Sequence, residues 1–150
     1  MKKILIITLF VLTASSLLSA ELSQNASKAR SMVRKAVEFY KANGKDAALK
    51  AFDDTKGIFR SGEYYVFVFD FDGLCLARGD GNSTLIGVNM IDMQDPDGKH
   101  YIKEMLETAR DKNSGWVDYK RSNPKTKKIE NKSSYVEKVD NIWIGCGFYK

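Results

Sequence analysis

Tyr64-Tyr65-Val66-Phe67-Val68-Phe69 is the densest run of aromatic and β-branched residues in the chain, and its reading decides the fold. Side chains of this kind favour a pleated, half-buried surface, and the run stops at Asp72-Gly73, a dipeptide suited to a tight hairpin turn. Leu74 to Ala77 is therefore the returning strand. Further along, Trp116 to Arg121, Lys132 to Val139 and Ile142 to Tyr149 read as three more strands, the first two flanking a loop at Ser122 to Asn131. Strands joined by short turns in this way point to a largely antiparallel sheet.

Around these strands the periodicity changes from two to that of a helix. From Ser23 to Asn43 the apolar residues Ala26, Ala29, Val33, Ala36, Val37 and Tyr40 form one stripe between lysines and arginines, which predicts a long amphipathic helix ended by Gly44. Asp46 to Phe52 reads as a short second helix. Lys99 to Lys112 reads as another, with Ile102, Met105, Leu106 and Ala109 on one side. Between them, Arg78 to Asn89 is polar and glycine-containing, a loop expected to cross a face of the sheet and line a site. The fold class is α+β.

The first residues carry a different message. Met1-Lys2-Lys3, an apolar run from Ile4 to about Leu12 and the small residues before Glu21 make a secretory signal, with cleavage expected after Ala20. An uncleaved anchor is the rival, but the run is shorter than the ~20 residues a membrane span needs. Residues 21–150 then make one domain of 130 residues, enough for a real core. The formal charge of +5 falls to +3 once Lys2 and Lys3 are removed, with both signs interspersed, so no nucleic-acid partner is implied. In an exported chain Cys75 and Cys146 either bridge or serve as two buried small hydrophobes. Asn25, Asn82 and Asn131 each open an N-x-[ST] triplet, of which Asn82 has Asp80 two residues before it.

Catalytic chemistry is thin. His100 is the only histidine, which leaves no means of building a zinc site or a Ser-His-Asp triad, and no glycine-rich phosphate loop opens a helix. With Gly98 in the sixth position of a calcium loop, Asp95, Asp97 and Glu104 fall at the third, fifth and twelfth. The first position, however, is Met93, so a plain turn before the helix is the better reading. No cofactor and no metal are expected, and the chain is read as a non-enzyme.

The second half holds the binding chemistry. Alternation along Trp116-Val117-Asp118-Tyr119-Lys120 puts Trp116, Asp118 and Lys120 on one face and Val117 and Tyr119 on the other, beside a paired Lys132-Ser133-Ser134-Tyr135-Val136 strand. A cationic amine with phenolic hydroxyls at the edge of an apolar pocket suits a small carboxylate. The competing reading is that Tyr119 and Tyr135 only pack while Lys120 and Lys132 only solvate.

Several spaced segments resemble the single Cache domain. They are Gly62-Glu63-Tyr64-Tyr65-Val66-Phe67-Val68, Asp72-Gly73, Ala77, Leu85-Ile86-Gly87 and Asp95-Pro96-Asp97-Gly98-Lys99, followed by Gly115-Trp116-Val117-Asp118-Tyr119-Lys120, Asn123-Pro124, Lys132-Ser133-Ser134-Tyr135-Val136 and Ile144-Gly145-Cys146-Gly147-Phe148-Tyr149. The resemblance implies a PAS-like periplasmic sensor module, with a long N-terminal helix packed on a central antiparallel sheet of about five to six strands and a ligand pocket on the opposite face. It implies a short carboxylate ligand of the acetate, propionate, pyruvate or lactate type. Tyr119, Lys132 and Tyr135 are the expected carboxylate contacts, with Trp116 and Lys120 from the same motifs and Tyr65, Phe67 and Phe69 as walls. One departure stands out: Ala77 is followed by Arg78-Gly79 where family members often have His-Pro, so Arg78 would supply a second cation for a larger or dicarboxylic ligand. The chain stops at Lys150, directly after the last strand, and is read as a stand-alone exported form acting through a membrane receptor or sensor protein. An adaptor of the same fold with no small-molecule ligand is the alternative.

Overall fold

In the computed structural model, backbone is described for residues 2–150 and side chains from Leu17 onward. Helix α1 (Lys2–Asn43) runs unbroken past the expected cleavage point and stops at Gly44, whose φ of 80° belongs to the left-handed region where a helix cannot continue. Helix α2 (Lys45–Asp53) follows at once. The strands are β1 (Arg60–Ser61), β2 (Tyr64–Tyr65), β3 (Phe67–Asp70), β4 (Cys75–Arg78), β5 (Ser114–Ser122), β6 (Ile129–Val139) and β7 (Ile142–Tyr149), with α3 (Tyr101–Lys112) before β5. The main sheet has five strands in the order β4-β3-β7-β6-β5, every neighbouring pair antiparallel.

The single strand expected over Tyr64–Phe69 is divided. Tyr64 and Tyr65 pair with β1 in a small two-stranded ribbon, and the main sheet takes over at Phe67. Val66 is the junction: its N–H donates to the Phe59 carbonyl and its own carbonyl accepts from Gly79. The tight turn at Asp72-Gly73 is present and is tied by the Asp70 carboxylate, which accepts from the N–H groups of Asp72 and Leu74.

Both faces of the sheet are covered. On one, α1 and α2 bury Val33, Ala36, Val37, Ala48 and Phe52 against Val66, Val68, Ile142, Ile144 and Phe148. On the other, α3 and the 79–100 loop bury Tyr101, Ile102, Met105 and Met90 against Phe67, Phe69, Val117, Tyr119 and Trp143. The period of two sorts β7 between them, with Ile142, Ile144 and Cys146 facing α1 and Trp143 facing α3, whereas a bulge in the β3–β4 pairing puts Cys75 in the α3 layer and Ala77 in the α1 layer. Cys75 and Cys146 therefore lie in opposite layers, both free, which decides the open question in favour of two buried hydrophobes. Burial pushes their thiols up to about 11 and about 12 respectively, so neither is a thiolate near neutral pH.

Two glycines of β7 shape the α3 face. A Cβ on Gly145 would stand 2.3 Å from the Phe67 ring, and one on Gly147 would stand 2.7 Å from the Ser133 carbonyl and 3.1 Å from Lys132 Cε. Bare backbone at these positions lets an aromatic ring and a lysine stem lie flat on the strand.

Candidate functional site

Lys132 is the residue that organises the α3 face. It sits in β6 directly across from Tyr119 in β5 and Tyr149 in β7, and it is 1% exposed. Its stem lies over Gly147, and its Nζ donates to the Tyr65 hydroxyl at 3.3 Å while lying 4.7 Å from the ring centres of both Tyr65 and Tyr149. None of the ion pairs among the described residues involves Lys132. Burying an ammonium without a carboxylate is costly in itself, and here the aromatic faces and phenol oxygens around it offset that cost. Burial works against its charged form, but the surrounding phenol oxygens of Tyr119, Tyr65 and Tyr149 outweigh it and hold the pKa above the ordinary lysine value.

Tyr119 is 7% exposed. Its hydroxyl shares a 3.0 Å hydrogen bond with Ser134, and its ring stacks on Tyr101 of α3 with centroids 4.6 Å apart and planes within 4°. Burial raises the pKa of both tyrosines, so both are neutral donors rather than bases near neutral pH. Arg121, two residues beyond Tyr119 on the same face, donates to the Tyr101 hydroxyl at 2.6 Å.

Beneath Tyr65 lies a small inner cavity of about 20 Å³, walled by Phe67, Phe69, Met90, Ile102, Met105 and Tyr119 with Arg78 and Arg121. That volume suits one water-sized group. Above it opens an outer cleft of about 320 Å³, lined by Arg60, Glu63, Tyr65, Asp80, Arg121 and Tyr149 among others. Tyr65 and Arg121 belong to both spaces, so together they form the partition.

The structure thus brings Tyr65, Phe67, Phe69, Arg78, Tyr119 and Lys132 to one face. It does not bring Trp116, Lys120 or Tyr135 there. Tyr135 lies three residues from Lys132 and Trp116 three from Tyr119, and an odd spacing on a strand reverses the face. Trp116 and Tyr135 pack together on the α1 side, where the Arg30 guanidinium lies 5.8 Å and 5.2 Å from their ring centres. Lys120 turns outward to Asp97 at 2.8 Å. Arg78 is 5% exposed but already spoken for, since its guanidinium grips the Asp80 carboxylate. Burial favours the neutral acid at Asp80, but Arg78 overrides this and lowers its pKa.

Arg121, Tyr101, Ser134 and Tyr149 escaped the sequence reading. Arg121 and Ser134 were within reach of it, each two positions from a chosen residue on the same face. Tyr149 needed the register between β6 and β7, which no single strand discloses.

The resemblance to a calcium loop resolves into a clamp. Asp95 Oδ1 accepts from the N–H groups of Asp97 and Lys99, and its Oδ2 accepts from the N–H of Lys120 at 3.0 Å. One carboxylate thereby ties the turn before α3 to β5, and these bonds, that from Lys120 first, depress its pKa. Among the described residues no three His, Cys, Asp or Glu side chains are grouped to hold a metal ion.

A long helix on one face of a five-stranded antiparallel sheet, and a cationic, phenol-lined pocket under a helix on the other, define a PAS-like sensor domain. The family model described as Single Cache domain 2 matches residues 18–150, and the chain belongs to that family. Cache domains are extracellular or periplasmic sensor modules, and a sensory role follows for this one. Among curated proteins the chain is similar to the sensor histidine kinase MctS of Rhizobium johnstonii, 37% identical over 87 residues, which is 57% of this chain but only 18% of the kinase. Among solved structures it resembles a methyl-accepting chemotaxis protein of Vibrio parahaemolyticus, with TM-score 0.69, 20% identity, and coverage of 93% of this chain and 95% of that one. A Cache chemosensory domain whose structure explains carboxylic acid recognition gives a TM-score of 0.65 at 22% identity, covering 90% of this chain and 97% of that one. At these identities the solved structures speak for the fold alone. Among the described residues no helix is long and apolar enough to cross a membrane.

Proposed function

We propose that residues 21–150, released behind a signal peptide at 1–20, form a periplasmic sensor domain for a short organic acid of the acetate, propionate, pyruvate or lactate type, which works through a membrane receptor or sensor protein. The observation that carries this reading is the Lys132 ammonium, sealed from solvent, in no ion pair among the described residues and faced by phenols. A ligand carboxylate replaces the long hydrogen bond from Lys132 to the neutral Tyr65 hydroxyl with one to an ionised acceptor, and the Tyr119 hydroxyl supplies a second donor. Phe67, Phe69, Met90 and Met105 take the short carbon tail. The inner cavity of about 20 Å³ admits such a ligand only when Tyr65 swings aside, so binding and movement of the partition are one event. The reading involves no chemistry on the ligand: with their pKa values raised, Lys132 and Tyr119 stay protonated near neutral pH and donate hydrogen bonds without acting as bases.

Isothermal titration with the four acids tests it. At least one should bind, with Lys132→Gln reducing affinity tenfold or more and Tyr135→Phe, on the opposite face, changing it by less than twofold. No binding of any acid would sink the proposal. It would favour the adaptor of the same fold, a reading that the narrowness of the inner cavity also supports.

A further inference from the structure

The charge around the partition exceeds what one carboxylate neutralises. Arg60, Arg78 and Arg121 line the inner cavity and outer cleft against Glu63 and Asp80, and Lys132, which lines neither, reaches the hydroxyl of the Tyr65 that both share, for an excess of two positive charges in all. Arg78 is matched by Asp80. Arg60 spends a donor on the Gly79 carbonyl at the edge of the cleft. Arg60, Lys132 and Arg121 all lack an ion pair with a carboxylate among the described residues, and Lys132 and Arg121 are the two that neighbour each other on one face of the sheet.

These two cations are placed as a pair. In the β5–β6 ladder Arg121 is opposite Glu130 and Lys132 is opposite Tyr119, so Arg121 and Lys132 are diagonal neighbours on one face. Diagonal positions lie roughly 7–8 Å apart, which suits two anionic groups joined by a short carbon chain. Tyr65 stands between them: its hydroxyl receives Lys132, and its side chain borders the cleft that Arg121 lines. The Arg121 guanidinium gives one hydrogen bond, to Tyr101, which leaves the rest of its planar fork for bidentate recognition of a carboxylate.

We propose that the preferred ligand is a short dicarboxylate, with one carboxylate at Lys132 beneath the partition and the other on Arg121 at the floor of the outer cleft. This rests on the carboxylate reading above and assigns Arg121, rather than Arg78, as the second anchor. The inner cavity takes one end of the ligand and the 320 Å³ cleft takes the other. A ligand spanning both would hold Tyr65 in its displaced position from either side.

Succinate and butyrate share a four-carbon chain and differ in the second carboxylate, so titration calorimetry of the purified chain with each isolates the point at issue. Succinate should bind at least tenfold tighter than butyrate, and Arg121→Gln should cost succinate at least tenfold more than it costs butyrate. Arg121→Lys, which keeps the charge but loses the fork, should recover part of that difference. Should Arg121→Gln fail to fold, the wild-type ratio decides by itself. Butyrate or a shorter monocarboxylate binding as tightly as succinate, or tighter, would overturn the dicarboxylate assignment and leave the monocarboxylate site standing. Absence of binding by every acid would overturn both.

Discussion

The two faces of one five-stranded sheet have been built on different terms. Against α1 the contacts are hydrocarbon and aromatic: Val33, Ala36, Phe52, Ile142 and Ile144 interlock, with Phe52 edge-on to Phe59 at 4.8 Å. Against α3 the same strands begin in that style, with Phe69 stacked on Trp143 at 4.8 Å, but toward Tyr65 the layer becomes phenols, guanidinium groups and a sealed ammonium. Hydrophobic packing accounts for the centre of the first face, and the guanidinium of Arg30 lies at its margin over Trp116 and Tyr135. The second carries buried charge that packing does not require, which supports the binding role proposed for it.

The comparison can be broken most severely from the α1 side. Phe52→Ala removes a fully buried ring and should cost about 3–5 kcal/mol in chemical denaturation, while the molecules that remain folded keep their ligand affinity. Gly147→Ala comes next. Its methyl group meets the Ser133 carbonyl and the Lys132 stem, so a loss of about 1–3 kcal/mol from overpacking should come with loss of binding. Lys132→Met sharpens the contrast by separating binding from stability. Trading the buried ammonium for a thioether should abolish binding while changing the stability of the ligand-free protein by no more than about 1 kcal/mol, and a larger destabilisation would mean that the ammonium is structural.

The smallest effect belongs to Asp95. Its folded pKa lies below the ordinary ~3.9, so its contribution is complete above the unfolded value and is lost as the pH falls through the folded one. Asp95→Asn should lower the melting temperature near neutral pH and flatten the acid limb of the stability profile. A limb unchanged in steepness would assign the clamp to backbone geometry alone.

Much of the architecture was legible because both periodicities are clean. The stripe from Ala26 to Tyr40 and the alternation of Val117 and Tyr119 against Trp116 in β5 each match the layers observed. The break at Val66 was hidden, since Tyr64-Tyr65 and Phe67-Val68-Phe69 have the same composition and only the pairing with β1 tells them apart. For the site, Lys132 and Tyr119 could be reached through the family resemblance. Transferring whole motif segments, however, swept in Trp116 and Tyr135, which a count of two along each strand would have assigned to the other face. Arg78 looked free because its partner Asp80, two residues on, declares itself only through the loop's conformation.

Arg30 lies over the rings of Trp116 and Tyr135, which β5 and β6 present to the long helix from the back of the same stretch that presents Tyr119 and Lys132 to the pocket. Those two strands are thus a shared wall. If occupation of the pocket spreads or tilts them, the slot gripping Arg30 must tighten or loosen in step, and α1 registers the visitor without touching it.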